Sequence, residues 1–190
     1  KKITVGKGVT VIKENEFSGA KIEEIILPDT IITIGDYAFS MRSLKKMIIP
    51  DSVTEIGKNI FNYAVALEEV VLSKNIEIIP ANAFYGCTSL KSIVIPENIK
   101  YFDEKAFYNC TALSEITFND KLYEIGASAF ENCKALLSVK LPDSLNAIKS
   151  KAFYNCEKIQ NAELGNGVFS VGQSAFENCK ALKSICLPDS

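Results

Sequence analysis

Apolar residues recur along this chain in two series with a nearly constant spacing. In the first series a phenylalanine returns at steps of 22 or 23 residues, at Phe17, Phe39, Phe61, Phe84, Phe107, Phe130, Phe153 and Phe176. The second series marks the end of a short apolar run and consists of Leu27, Ile49, Leu72, Ile95, Phe118, Leu141, Leu164 and Leu187. A period in the low twenties is typical of solenoids, whose units bury their apolar side only by stacking. The pattern therefore predicts a single solenoid domain over residues 1–190, with about eight repeats of 22–23 residues.

The repeat that contains Ile93 shows the elements predicted for each unit. Ile93 and Ile95 alternate with Val94, which predicts a short strand with the two isoleucines on one side and Val94 on the other. Pro96 ends the strand because it has no N–H to donate to a parallel ladder. Residues 99–107 form the return leg, which an Ala-Phe pair closes. A glycine follows the second apolar pair in four repeats and predicts a bend with unusual backbone angles, at Gly35, Gly57, Gly126 and Gly172.

Written as a consensus, the repeat is L-x-x-L-x-L-P-x-x-L-x-x-I-x-x-x-A-F-x-x-C, and it resembles the BspA-type bacterial leucine-rich repeat. The match runs from about Ile3 to Leu187. The repeats of Phe17 and Phe39 depart from it by being one residue shorter after the phenylalanine, and Phe61 follows Ile60 instead of alanine.

The resemblance implies an α/β-type repeat fold. This is a curved leucine-rich-repeat solenoid with a parallel β-sheet on the concave face and short irregular or helical return legs. It also implies a cell-surface or secreted protein and an association with adhesion to host or matrix proteins. No binding residue is general to the family, so none can be assigned to this chain by resemblance.

Composition argues against several classes of function. With 21 basic and 23 acidic residues the net charge is −2, which gives no field to attract nucleic acid. The apolar runs are only a few residues long, so no membrane insertion is expected. Without histidine the chain has no Ser-His-Asp or Cys-His arrangement, and we predict neither an enzyme nor a cofactor. The chain starts at Lys1 and stops within a repeat, and we expect it to be a fragment of a longer one.

Five cysteines share one position, three residues after the closing phenylalanine: Cys87, Cys110, Cys133, Cys156 and Cys179. The favoured interpretation is a free, buried thiol in each repeat. Disulfides between neighbouring repeats are the alternative, although side chains of one column point the same way, which suits a bridge poorly. A metal site is a third and weaker possibility. Cys186 lies instead on the outward face of its strand.

The outward residues at the strand centres form a column that reads Thr4, Ile26, Ile48, Val71, Val94, Thr117, Lys140, Glu163 and Cys186. Its four consecutive aliphatic residues predict an exposed apolar stripe, a feature that often marks an interaction site. The alternative is that β-branched residues simply favour strands and need no partner. The predicted partner-binding residues are Ile26, Ile48, Val71 and Val94, with Glu24, Lys46 and Glu69 at the rim.

Charges beside this stripe alternate from repeat to repeat. Glu23 and Glu24 are followed by Lys45 and Lys46, then by Glu68 and Glu69, and then by Lys91. Opposite charges on neighbouring strands predict lateral ion pairs that fix the register of the sheet. A further acidic column follows the strands at Asp29, Asp51, Glu97, Asp120, Asp143 and Asp189. Calcium binding is one interpretation of this column, but the chain has no D-x-D-x-D-G loop to support it.

The function predicted from the sequence is a cell-surface or secreted binding domain that mediates protein–protein interaction or adhesion through its concave sheet. The alternative is a structural spacer without a ligand of its own. An intracellular location in a eukaryote is a further alternative, because free thiols are compatible with a reducing compartment.

Overall fold

A computed structural model describes residues 1–186 of the chain as a stack of coils built from short strands. In chain order the strands are β1 (Lys2–Thr4), β2 (Val11–Ile12), β3 (Glu24–Ile26), β4 (Thr33–Ile34), β5 (Lys46–Ile48), β6 (Glu55–Ile56), β7 (Glu69–Val71), β8 (Ile78–Ile79), β9 (Ser92–Val94), β10 (Tyr101–Phe102), β11 (Glu115–Thr117), β12 (Glu124–Ile125), β13 (Ser138–Lys140), β14 (Ala147–Ile148), β15 (Asn161–Glu163), β16 (Ser170–Val171) and β17 (Ser184–Cys186). Leu187, Pro188 and Asp189, which the repeat pattern includes, lie outside the described residues.

Each coil contributes one odd-numbered strand to a first face of the solenoid, called the front face here, and one even-numbered strand to a second face. Neighbouring strands of either face pair in parallel and in register, as in Lys46 with Glu69 on the front face and Phe102 with Ile125 on the second. On the front face the hydrogen-bonded groups are β1-β3-β5-β7, β9-β11 and β13-β15-β17; on the second they are β2-β4-β6 and β8-β10-β12-β14-β16. The predicted parallel-sheet solenoid is confirmed.

Residues 1–186 contain no helix, so the helical alternative for the return legs is wrong. The backbone explains why, because residues with positive φ flank the closing phenylalanine. At the second position before the phenylalanine, the residues with positive φ are Asn15, Tyr37, Asn59, Asn82, Lys105, Ser128, Lys151 and Ser174. At the second position after the phenylalanine, they are Gly19, Tyr63, Gly86, Asn109, Asn132, Asn155 and Asn178. Left-handed residues four apart interrupt any right-handed helix, and the leg turns tightly around the phenylalanine instead.

The core is a continuous ladder of the closing phenylalanines. Adjacent rings from Phe17 to Phe176 stack with centroids 4.8–5.9 Å apart, within the range of favourable aromatic pairs. The inward strand residues pack around this ladder, as Met47 and Ile93 do. Each coil therefore completes the apolar environment of the next.

The glycines of the return legs are needed for a reason different from the predicted bend. Gly35 and Gly57 do not have positive φ. A Cβ on Gly35 would instead lie 2.5 Å from the backbone nitrogen of Glu14 in the preceding coil, and on Gly57 2.4 Å from that of Asp36. Close approach of successive coils, rather than a special backbone angle, requires glycine at these positions.

The five cysteines of the repeated column are free and buried, and Cys186 is free and exposed. Each buried thiol donates a hydrogen bond to the carbonyl oxygen of a phenylalanine in the preceding coil, with Sγ–O distances of 3.1–3.3 Å. Burial raises the pKa of all five thiols, that of Cys179 to about 11. The column thus ties each coil to its neighbour by a polar contact inside the core.

Both faces are interrupted at the same level of the stack, between β6 and β8 on the second face and between β7 and β9 on the front face. We call this boundary the seam. The front face alone is interrupted a second time, between β11 and β13, where β12 and β14 remain paired on the second face. On the second face Gly57 N–H donates to Ile34 and Asp103 N–H to Ile79, but Pro80 occupies the equivalent position and has no N–H. On the front face Lys91 N–H lacks the bond to Glu68 that the repeat would supply.

At the phenylalanine turns the seam stays closed. Phe61 N–H donates to the carbonyl of Ala83 at 2.8 Å, and Tyr63 N–H donates to that of Tyr85 at 2.7 Å. The rings of Phe61 and Phe84 stack at 5.2 Å. The seam follows the point where repeats of 22 residues give way to repeats of 23.

Candidate functional site

The structure places the four aliphatic residues of the predicted stripe on the outside of the front face. The exposed fractions are 38% for Ile26, 51% for Ile48, 48% for Val71 and 76% for Val94. Ile48 and Val71 are direct neighbours across β5 and β7. Because their strand-centre neighbours point into the core, the alternation along each three-residue strand fixes this outward orientation.

The three charged rim residues also lie on the front face, and each is held in an ion pair. Lys46 Nζ lies 2.8 Å from Glu69 Oε1 across β5 and β7, as the charge pattern predicts. Glu24 pairs with Lys2 at 2.9 Å and not with Lys46, its neighbour in the ladder. These side chains are exposed, so each pair contributes at most about 1 kcal/mol and chiefly fixes register.

A second row of charges lies beside the rim. Lys45 Nζ lies 2.9 Å from Glu23 Oε2, and the hydrogen bond from Lys45 is the main cause that lowers the pKa of Glu23. Glu68 forms no ion pair with Lys45 or with Lys91 within the described part of the chain, so the ion pairs of this row end at Lys45.

The front face has a groove at the level where β7 and β9 are not paired. This front groove has a volume of about 720 Å³ and is lined by residues 68–72, 74 and 92–97. Val71 and Val94, two members of the stripe, lie on either side of it. Ligand-binding clefts commonly have volumes of this order, and Val94 is the most exposed residue of the stripe. The groove is therefore the candidate functional site.

The charged residues of the front groove are Glu68, Glu69, Lys74 and Glu97. Lys46 neutralises Glu69, and Lys74 Nζ lies 3.5 Å from Asp51. Glu68 and Glu97 form no ion pair with any described residue. The groove therefore combines an aliphatic centre with a net negative lining and a free carboxylate near each end.

A smaller groove of about 520 Å³ lies at the seam on the second face, beside Pro80. Five of its twelve lining residues are charged, among them Asp36, Lys58 and Asp103. Burial raises the pKa of Asp103, while Lys58 opposes the shift. Sequence reasoning missed both grooves. The signals that could have found them are Pro80 at a glycine position and the change in repeat length.

Two members of the acidic column at the strand ends, Asp51 and Asp143, bind backbone groups of the next coil. Asp51 accepts the N–H of Lys74 at 3.0 Å, the main cause that lowers the pKa of Asp51. Asp143 accepts the N–H of Asn166 at 2.8 Å. Across residues 1–186 no group of histidine, cysteine or acidic side chains is arranged to hold a metal ion. Over the same residues there is no helix with the length and hydropathy needed to cross a bilayer.

Comparisons with known proteins agree with this architecture. The chain matches the family described as "BspA type Leucine rich repeat region", in 6 copies, over residues 1–114 and 104–190. A solved leucine-rich repeat protein from Bacteroides ovatus is 31% identical with a TM-score of 0.88, and the match covers 96% of this chain and 48% of that one. None of the curated proteins matches the chain.

Two further solved structures are similar at lower identity. A leucine-rich repeat protein from T. pallidum is 27% identical with a TM-score of 0.83, over 92% of this chain and 83% of that one. A leucine-rich cell surface protein from Faecalibacterium prausnitzii is 27% identical with a TM-score of 0.60, over 97% of this chain and 59% of that one. The chain thus spans about half the length of the B. ovatus protein.

Proposed function

Because this chain belongs to the BspA-type leucine-rich-repeat family, we propose that it is the protein-binding domain of a bacterial surface or secreted protein. Leucine-rich-repeat folds are typical of protein-interaction domains, and the family is generally non-enzymatic. The surface location is supported by the F. prausnitzii relative, which is described as a cell surface protein. The domain would act in adhesion by holding another protein on its front face.

The observation that carries this proposal is the exposed aliphatic stripe of Ile26, Ile48, Val71 and Val94. Scattered exposed aliphatic residues are ordinary on protein surfaces. A row that continues over four consecutive coils and ends in a groove is less ordinary, and such patches often mark sites of protein association. The core does not need these side chains, because the inward residues and the phenylalanine ladder fill it.

The stripe would supply most of the binding free energy by burying its apolar surface, at about 25 cal/mol per Å². The rim residues Glu24, Lys46 and Glu69 would orient the partner, since exposed charges contribute more to specificity and association rate than to affinity. Their ion pairs with neighbouring strands hold them in place before a partner arrives.

The test is the double substitution Ile48→Lys and Val71→Lys. Both side chains are about half exposed, so the fold should survive, while two ammonium groups in the stripe should abolish partner binding. The measurement is capture of labelled host-cell surface or matrix proteins by the immobilised domain, with the unfolding midpoint recorded by circular dichroism.

A matched control adds two lysines away from the front face, as Thr10→Lys and Gln173→Lys, and should capture the same partner as the wild-type domain. A strong fall in the unfolding midpoint of the stripe variant would show that the stripe is structural. If the wild-type domain captures nothing, the spacer is the better description.

A further inference from the structure

The lining of the front groove points to a particular kind of partner. Its centre is aliphatic, with Val71 on one wall and Val94 on the other, and its charged residues are three carboxylates and one lysine. A partner that fits must present aliphatic side chains to the centre and positive charge to the lining. Such complementarity also excludes acidic partners, because like charges brought together are costly.

The positions of the two free carboxylates set the length of this partner. Glu68 precedes β7, and Glu97 follows β9 in the column of Lys74, six residues further along the repeat than Glu68. Six residues of extended chain span at most about 20 Å. A segment of about seven residues can therefore reach both carboxylates while its middle residues cover the valines.

The seam adds a backbone group to this surface. The carbonyl of Glu68 lacks the hydrogen bond that the neighbouring coils form with one another, since Lys91 N–H does not donate to it. Lys45 and Lys91, one coil away on either side, both accept such bonds, from Glu68 and Ser114. An extended partner that lies over the groove can donate a main-chain N–H to the Glu68 carbonyl, which is a strong acceptor.

We propose that the front groove binds an extended segment of a partner protein in which two aliphatic side chains lie between two cationic ones. This inference rests on the proposed function and makes it more specific. The aliphatic pair covers Val71 and Val94, and the cationic side chains pair with Glu68 and Glu97. Glu68 is available because it forms an ion pair with neither Lys91 nor Lys45 in the described structure, and Lys45 pairs with Glu23 instead.

The experiment uses fluorescence anisotropy with labelled heptapeptides. The first probe has arginine at both ends, valine at the third and fifth positions, and serine or threonine elsewhere. The second has glutamate in place of arginine, and the third has serine in place of valine. The first should bind, more weakly as salt is raised, while the second and third should bind at least about tenfold more weakly.

Substitution of the chain then locates the site. The double variant Glu68→Gln and Glu97→Gln keeps size and hydrogen bonding while removing both charges, and should weaken the arginine probe about fivefold. Glu16→Gln with Glu177→Gln removes two exposed charges elsewhere and should leave binding unchanged. Both variants should unfold at the wild-type midpoint.

Equal binding of the glutamate probe would overturn the inference, as would binding of the arginine probe that the Glu68 and Glu97 changes do not affect. Absence of binding by the arginine probe also overturns it. In each case the proposed function survives if the domain still captures a protein partner that the Ile48 and Val71 variant does not.

Discussion

At the residue scale, the buried thiols show how a repeated column stabilises a solenoid. Each is surrounded by the core and donates to a phenylalanine carbonyl in the preceding coil, as Cys110 does to Phe84 at 3.1 Å. Burial disfavours the charged thiolate, and this raises the pKa of Cys110 well above its ordinary value. In the unfolded chain the same thiols ionise near pH 9.

These pKa shifts predict that the protein becomes less stable in alkaline solution. Above pH 9 the unfolded chain loses thiol protons that the folded chain keeps, so each buried cysteine lowers the free energy of unfolding by up to about 1.4 kcal/mol per pH unit. For Cys179 the loss should level off above its folded pKa of about 11. Urea unfolding at pH 8, 9 and 10 measures the slope.

The variant Cys110→Ala should show a shallower loss of stability between pH 9 and pH 10 than the wild-type protein. Cys186→Ala is the control, because Cys186 is exposed and should leave the slope unchanged. Equal slopes in all three proteins would contradict the assignment of the effect to the buried column.

At the scale of elements, the repeat pattern predicted much of what the structure contains. The two-residue alternation in strands such as β5 and β9 correctly predicted that Ile48 and Val94 lie outside. Successive side chains of a strand point to opposite faces, so a residue next to a buried one points outward. Return legs were harder to predict, since left-handed residues such as Asn82 and Lys105 leave only a weak signal in composition. The helical alternative was wrong for that reason.

The seam was not predicted because it depends on a missing hydrogen bond and not on hydrophobicity. Pro80 is apolar and keeps the periodicity intact, yet it removes the donor that Gly57 and Asp103 supply in neighbouring coils. The change from 22 to 23 residues after Phe61 is visible in the sequence, but the sequence pattern does not reveal its effect on the pairing of β7 and β9.

Replacing Pro80 tests this cause directly. In Pro80→Ala the new amide at position 80 can donate to the carbonyl of Ile56, so it should become protected from hydrogen exchange like the amide of Asp103. The unfolding midpoint should change little, because a hydrogen bond worth about 0.5–1.5 kcal/mol is offset by about 0.4–1 kcal/mol from the freer unfolded chain. Exchange measured by mass spectrometry or NMR decides the outcome.

The control for this experiment is Asp103→Ala, which keeps an existing amide and should leave exchange at the seam unchanged. In the wild-type protein the amide of Lys91 should exchange faster than those of Glu68 and Ser114, which donate across intact strand pairs. An unprotected amide at position 80 would mean that Pro80 is not the cause of the interruption.

At the scale of the whole molecule, stability passes from coil to coil, as in other repeat proteins. Where both faces are paired, strands, ion pairs and the phenylalanine ladder all couple neighbouring coils. Across the seam neither face contributes a strand pair, and the coupling depends more heavily on the stack of Phe61 on Phe84 and on the hydrogen bonds around it. The front groove thus lies at the level where neither face of the stack contributes a strand pair.

This difference predicts that replacing a ladder phenylalanine by alanine has different consequences at Phe84 and at Phe130. Phe84 and Phe130 are both fully buried, so replacing either by alanine should cost about 3–5 kcal/mol. At Phe130 the front face is interrupted between β11 and β13, but β12 pairs with both neighbours on the second face, so we expect one cooperative transition at a lower urea concentration. At Phe84 the loss falls on the seam, and the segments before and after it should unfold in separate transitions.

Circular dichroism and segment-resolved hydrogen exchange, followed through the same urea titration, distinguish these outcomes. In Phe84→Ala the peptides from β1 to β7 and those from β8 to β17 should lose protection at different urea concentrations. In Phe130→Ala they should lose it together. Coincident transitions in both variants would mean that the remaining contacts across the seam are enough to keep the stack cooperative, and that the interruption of the two faces is only local.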